Sequence, residues 1–392
     1  MRSEWTVATV VLLCYGVWLA AMLPSSHGAR DFIIMGRTFV RHSGVSPVIA
    51  VDDAYYRRLA AHDNGYDGQF CYYIALDPVN ARYYVDTPGY RYTRILYPLV
   101  ARLLALGQAA LIPYTLLLVN LLAVAGGTLA VAAWLARRAV SPWFGLVYGF
   151  YPGLFVGLRR DLTEPLSYAL VALAILLFDD GGRRRVAWAG LAFALAILTR
   201  EVAAFFALLY GLSLLRLPQR LDPRAFARRE VWGQAALLLA LAGLPLLLYK
   251  GFLLAWLGST GVPSELSPFQ LPFHGIAVYW PWAPGSQQLE EARTVILPAL
   301  VCAGIGVWAL WRRAWRVEVW ALLVNVLVFV VLLPPYSYHQ IFASSRITTG
   351  VVLAALLCLP IFDKLTGKNR WWFWVSAALW LSFLPYAVAS GQ

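Results

Sequence analysis

Long uninterrupted apolar runs alternate along the chain with short polar turns, and those at 5–23, 231–249 and 317–333 set the scale. A bilayer core of about 30 Å takes roughly 20 apolar residues as helix, because every backbone N–H and C=O must be satisfied within the segment. The pattern predicts eleven spans: 5–24, 109–134, 142–158, 163–178, 186–199, 202–217, 231–257, 293–311, 317–333, 347–362 and 371–388. Spans 163–178 and 186–199 are short, which suits tilted helices or helices partly sunk in protein. The expected fold is an all-α polytopic membrane protein, one integral-membrane domain over 1–392. Its largest connections are 25–108 and 258–292. Within the first, RILYPLVARLLALGQ (94–108) is too short and too charged to span, and reads as a helix lying in the interface. The first apolar run exceeds the usual 7–15-residue core of a signal peptide, so an uncleaved helix is expected rather than cleavage near SSHGA.

Composition agrees with this pattern. The chain is 60% apolar and 13% charged, against roughly 45–50% and 25% in soluble domains. The net charge of +12 adds orientation. Its basic residues cluster at 136–138, 181–185, 216–229, 311–316 and 363–370, on alternate connections. That is the positive-inside pattern and not a nucleic-acid stripe, so no nucleic-acid partner is expected. The N-terminus is then cytoplasmic, and 25–108 and 258–292 are extracytoplasmic. All five histidines lie on that outer side, without ligand spacing. Four scattered cysteines form neither a disulfide framework nor a CxxC pair. Arginine far outnumbers lysine, which occurs only at Lys250, Lys364 and Lys368, and this hints at a GC-rich bacterial genome. The expected location is the bacterial cytoplasmic membrane.

One segment departs from this apolar background. DNGYDGQFCYYIALDP (63–78) holds three acids, two glycines and four aromatics. On a helix, Asp63, Asp67, Phe70, Ile74 and Asp77 share one stripe. Gly65 and Gly68 delay the helix to about Gly68, which makes Asp67 an N-cap candidate. The functional alternative is a carboxylate among aromatics that stack on a sugar, acting as a general base worth typically 10²–10⁴-fold. A second acidic site follows in GLRRDLTEPLSYALVAL (157–173). Asp161 and Glu164 have capping-box spacing and Pro165 suits a first turn. Capping leaves Arg159 and Arg160 unexplained on the outer side. Arg200 and Glu201 occupy another outer turn, where a plain ion pair is the simple reading. Arg346 falls at the start of an outer helix, where a cation opposes the helix dipole, and Lys250 lies inside a span near its outer end. Cations on this side, against the general tendency, suit an anionic ligand such as phosphate.

YDGQFCYYIALDP followed by RILYPLVARLLAL resembles the first-loop signature of GT-C fold glycosyltransferases. The nearest branch in style includes the second mannosyltransferase of GPI-anchor synthesis. DLTEPLSYALVALAIL and LAILTRE are similar to that branch's Thr-Glu-Ser-Leu and Thr-Arg segments, in the same order over residues 63–205. The resemblance implies Asp67 as the first-loop catalytic acid, Glu164 as the matching second-loop acid and Arg200 as the turn arginine; Asp63 and Asp161 join Glu164 as a second acidic site on the sequence reading alone. It implies a polyprenyl-phosphate-linked sugar donor, a hexose such as mannose, and a lipid, glycan or protein acceptor. Arg346, Arg200, Arg159, Arg160 and Lys250 are then the phosphate-binding candidates, and Tyr66, Gln69 and Phe70 the sugar or acceptor contacts. The sequence does not decide on a cofactor: Asp63, Asp161 or Glu164 could hold a divalent cation, Mg or Mn, as in some GT-C enzymes. Tyr66 stands where the branch has Trp and Pro165 where it has Ser, which leaves sugar and acceptor open. A transporter or flippase of lipid-linked sugars is the competing reading, although no pair of repeats is visible.

Overall fold

The computed structural model describes residues 2–24, 28–42, 64–179, 182–215, 229–261, 270–338 and 340–389. Among them every regular element is helical, in keeping with an α-helical polytopic membrane protein. Six stretches are long and apolar enough to cross a bilayer: Ser3–Met22, Ala109–Ala136, Trp232–Leu257, Gly285–Trp311, Ile341–Thr366 and Trp371–Ala389.

The elements that build the site are these, in chain order. Helix α1 is Arg2–Met22, and α2 (Gly68–Leu76), α3 (Pro88–Arg91) and α4 (Leu96–Leu104) follow in the first loop. The long α5 (Ile112–Ala136) leads to α6 (Pro152–Arg159), α7 (Glu164–Asp179) and α8 (Arg183–Thr199). Then come α9 (Ala204–Leu214), α10 (Arg229–Leu257), α11 (Ile341–Ile347) and α12 (Thr349–Thr366). Helices α5, α7 and α8 pack side by side, with α1 on the other flank of α5 and α10 on α8.

Three differences from the sequence reading have local causes. The expected span 142–158 is broken into Pro142–Phe144, Gly145–Gly149 and α6. Pro152 has no N–H to donate and begins a new helix at its first turn. The expected spans 163–178 and 186–199 are α7, with 16 residues, and α8, with 17. At 1.5 Å per residue these reach only about 24–26 Å, short of the bilayer core. The start of the 347–362 span belongs to a separate short helix, α11. Burial separates the spans: 89% of the Ile341–Thr366 window is enclosed by protein, against 17% for Trp232–Leu257. The first is the centre of the bundle. The second presents an apolar face outward, as a lipid-facing helix does.

The first loop folds onto the ends of α5 and α10 through its own apolar cluster, including Tyr73, Tyr97, Ala101, Ile112, Leu116 and Leu253. Arg102 on α4 donates to the carbonyls of Ala75 (2.8 Å) and Leu76 (2.6 Å). It thereby satisfies acceptors left open at the C-terminus of α2. Leu99, Leu103 and Leu104 of α4 remain exposed, as suits a helix lying against lipid. Two glycines permit the contacts that bring distant segments together. A Cβ on Gly68 would sit 2.0 Å from the Arg160 carbonyl oxygen, so only glycine lets α2 rest on the turn between α6 and α7. A Cβ on Gly153 would sit 2.5 Å from the Ser345 carbonyl oxygen and 2.9 Å from the Arg346 Cα, so glycine also lets α6 lie against α11.

Candidate functional site

These approaches meet in one narrow cleft. It is lined by Asp67, Phe70, Cys71 and Ile74 of the α2 region, Arg91 and Arg94 of the α3 region, Leu162, Thr163 and Glu164 before and in α7, Arg200 after α8, and Arg346 of α11. Its empty space, open mouth included, is about 320 Å³. Five segments spread along the sequence each contribute an arginine or a carboxylate.

Asp67 stands at the N-cap of α2 but makes no capping bond. Its Oδ1 accepts from Arg91 Nη1 at 3.0 Å and its Oδ2 from Arg346 Nη2 at 2.5 Å. Burial alone would raise its pKa, but the guanidiniums of Arg346 and Arg91 outweigh that and hold the carboxyl well below the usual range. Glu164 is wholly buried in the first turn of α7. Its Oε1 accepts from Arg200 Nη1 at 2.7 Å and lies 3.4 Å from Arg346 Nη1. Its Oε2 has no hydrogen-bond partner among the described residues. Arg346 therefore bridges the two carboxylates. It sits in the last turn of α11, where a cation favours the dipole, which corrects its expected place at a helix start.

The first loop supplies two arginines that the sequence reading missed. Arg91 donates to Asp67 and, through Nε and Nη2, to both oxygens of Asp86, each at 2.7 Å. Its guanidinium lies 4.2 Å from the centre of the Phe70 ring. Arg94 grips Glu201 with both arms, at 3.1 and 3.0 Å, and donates to the Tyr90 hydroxyl. Glu201 is thus paired with Arg94 across 107 positions rather than with its neighbour Arg200. TPGYRYTR (87–94) carried no assigned role beyond Arg94 as the first residue of the expected interface helix 94–108, and α4 begins only at Leu96. Its one usable signal was two arginines three apart among tyrosines.

Other expected residues fall elsewhere. Arg159 turns away and donates to the Ala387 carbonyl at 2.8 Å, tying α6 to the C-terminal helix. Gln69 is fully buried and holds the loop backbone, donating to Asn64 O at 2.7 Å and accepting from Gly36 N at 3.0 Å. It braces the loop from inside. Lys250 lies on α10 and is not among the cleft residues. Asp63 lies outside the described residues. Tyr66 stacks between two cations, with Arg160 4.2 Å and Arg346 5.2 Å from its ring centre, and the Phe342 ring covers Arg160 at 4.4 Å.

Asp161 neither caps α7 nor faces the cleft. It is fully buried with φ +50°, and Tyr97 donates to its Oδ1 at 3.4 Å. Its Oδ2 has no partner among the described residues. Burial pushes this carboxyl well above the usual range, and the Tyr97 hydroxyl offsets only part of that. Among the described residues, which do not include Asp63, no three His, Cys, Asp or Glu side chains converge. Asp67 spends both oxygens on guanidiniums, and four arginines line the same cleft.

No family model matches the chain, and neither the curated proteins nor the solved structures contain a match to it.

Proposed function

We propose that the protein is an integral-membrane glycosyltransferase of GT-C type, using a polyprenyl-phosphate-linked hexose as donor. The observation that carries this reading is the cleft itself, where arginines from the first loop, the turn after α8 and α11 converge on Asp67 and Glu164. Guanidiniums bind phosphate bidentately, and a carboxylate beside them supplies the proton acceptor that sugar transfer needs. The acceptor's hydroxyl oxygen attacks the anomeric carbon as its proton passes to Asp67. The bond from that carbon to the phosphate oxygen breaks, and the electron pair leaves with the lipid phosphate. A single displacement inverts the sugar. Hydrogen bonds to charged groups contribute about 1.5–3 kcal/mol each, so two that tighten as the phosphate departs supply several powers of ten in rate.

The exposed leucines of α4 and the outward face of α10 favour a cleft at the membrane surface, reached by a lipid-anchored donor. In this reading the N-terminus is cytoplasmic, the cleft extracytoplasmic and the membrane a bacterial inner membrane. The acceptor is a lipid, glycan or protein hydroxyl. Asp67→Asn separates an enzyme from a transporter of the same lipids: turnover is abolished while lipid binding and expression persist. A transporter would keep its flux.

A further inference from the structure

The cleft is not the open patch of positive charge that its arginines suggest. Four arginines line it, Arg91, Arg94, Arg200 and Arg346, and four carboxylates pair with them, Asp67, Asp86, Glu164 and Glu201. The formal sum is zero. Arg160 has no ion-pair partner among the described residues, and it shares the Tyr66 ring with Arg346. An anion approaching the cleft thus meets one uncompensated guanidinium beside the Arg346–Asp67 contact. An arginine whose fork is on a carboxylate cannot grip a phosphate with the same N–H groups.

We infer that Asp67 is the built-in competitor for the phosphate position, and that a phosphate frees it to act as a base by taking Arg346 in its place. This deepens the glycosyltransferase reading and rests on it for the identity of the anion. In the donor, the phosphodiester carries one negative charge beside the released Asp67. As transfer proceeds the acceptor's proton neutralises Asp67, and the departing phosphate gains the charge that the carboxylate loses. The cluster keeps the same total charge from start to finish. Arg346, between Asp67, Glu164 and the Tyr66 ring, touches both ends of that exchange. The consequence is an order of binding: donor first, acceptor hydroxyl second, because before the phosphate arrives Asp67 is too weak a base.

The test is binding without turnover. Purified protein in detergent is titrated with a short-chain isoprenyl monophosphate and, in parallel, with inorganic phosphate. Asp67→Asn removes the competitor and is expected to bind the isoprenyl phosphate about tenfold tighter or more than wild type, while Arg346→Ala binds it at least tenfold more weakly. Asp86→Asn removes an equal charge that touches Arg91 but not Arg346, and should change affinity by no more than about twofold. Equal or weaker binding by Asp67→Asn overturns the exchange while leaving a phosphate site intact. Equal tightening by Asp86→Asn reduces it to a general field effect and also overturns it. Wild type and Asp67→Asn both failing to bind removes the donor reading along with the inference. Matching affinities for inorganic phosphate, with the same tightening, uphold the exchange and remove the lipid from it. Should Asp67→Asn not fold, wild type carries the test through carbodiimide labelling at pH 5, read by mass spectrometry. Saturation with a short-chain isoprenyl sulfate should raise labelling at Asp67 severalfold, and unchanged or reduced labelling overturns the inference.

Discussion

Residue by residue, the cleft is held by buried charge, and buried charge makes sharp predictions. Glu164 and Arg200 are both buried, and their contact is 2.7 Å long. Removing one partner of such a pair typically costs about 3–5 kcal/mol because the other charge is stranded. Glu164→Gln and Arg200→Ala should each lower the melting temperature strongly, and the double variant should lose much less than their sum, as a thermal-melt double-mutant cycle will report. Asp161 is the opposite case. Burial pushes its carboxyl upward, so the native state keeps its proton to higher pH than the unfolded chain, which releases it above about pH 4. Its stability contribution therefore falls as pH rises above about 4, whereas Asp161→Asn lacks that slope. The melting temperature of wild type relative to Asp161→Asn should decline across that range, and a constant difference would contradict a protonated Asp161. Much at this scale was legible in the sequence. Asp67, Glu164, Arg200 and Arg346 stand out because a charge in an apolar chain has few ordinary reasons to be there. Arg91, Arg94 and their pairings were not, since an ion pair across 107 positions leaves no local pattern.

Among the elements, closeness decides what the charges can do. Gly68 and Gly153 let α2 and α6 approach their neighbours at distances a side chain forbids. Gly68→Ala should push Asp67 out of place in the cleft and slow sugar transfer at least tenfold, with helix content by circular dichroism preserved. Gly126→Ala is the control: its Cβ meets nothing within 4 Å, so the substitution should be neutral or stabilising by up to about 1 kcal/mol. Apolar periodicity located most helices, because bilayer and bundle core impose one length and one composition. It overran at 142–158, where apolar content continues but Pro142 and Pro152 interrupt the backbone ladder. It also left α11 within a connection and began the next span at 347, the last residue of that short helix.

For the whole molecule, the arrangement is a membrane bundle that carries a folded first loop on one end and a charged cleft where loop and bundle meet. Which side of the membrane that end occupies is an expectation from the basic turns, and it can be checked directly. A single cysteine replacing Asp86, at the rim of the cleft, in a chain whose own cysteines are changed to serine, should react with an impermeant maleimide added outside intact cells. Labelling only after the cytoplasmic face is opened would reverse the orientation. The central claim is that the arginine cleft transfers a sugar from a lipid phosphate. Its most direct measurement is incubation of purified protein and acceptor-bearing membranes with a panel of radiolabelled polyprenyl-phosphate sugars. The expected result is label moving from one donor to membrane acceptor with wild type, none above background with Asp67→Asn, and at least a hundredfold slower transfer with Arg346→Ala (about 2.7 kcal/mol of transition-state stabilisation lost). Transfer by Asp67→Asn at the wild-type rate, or none by wild type with any donor, would contradict the account.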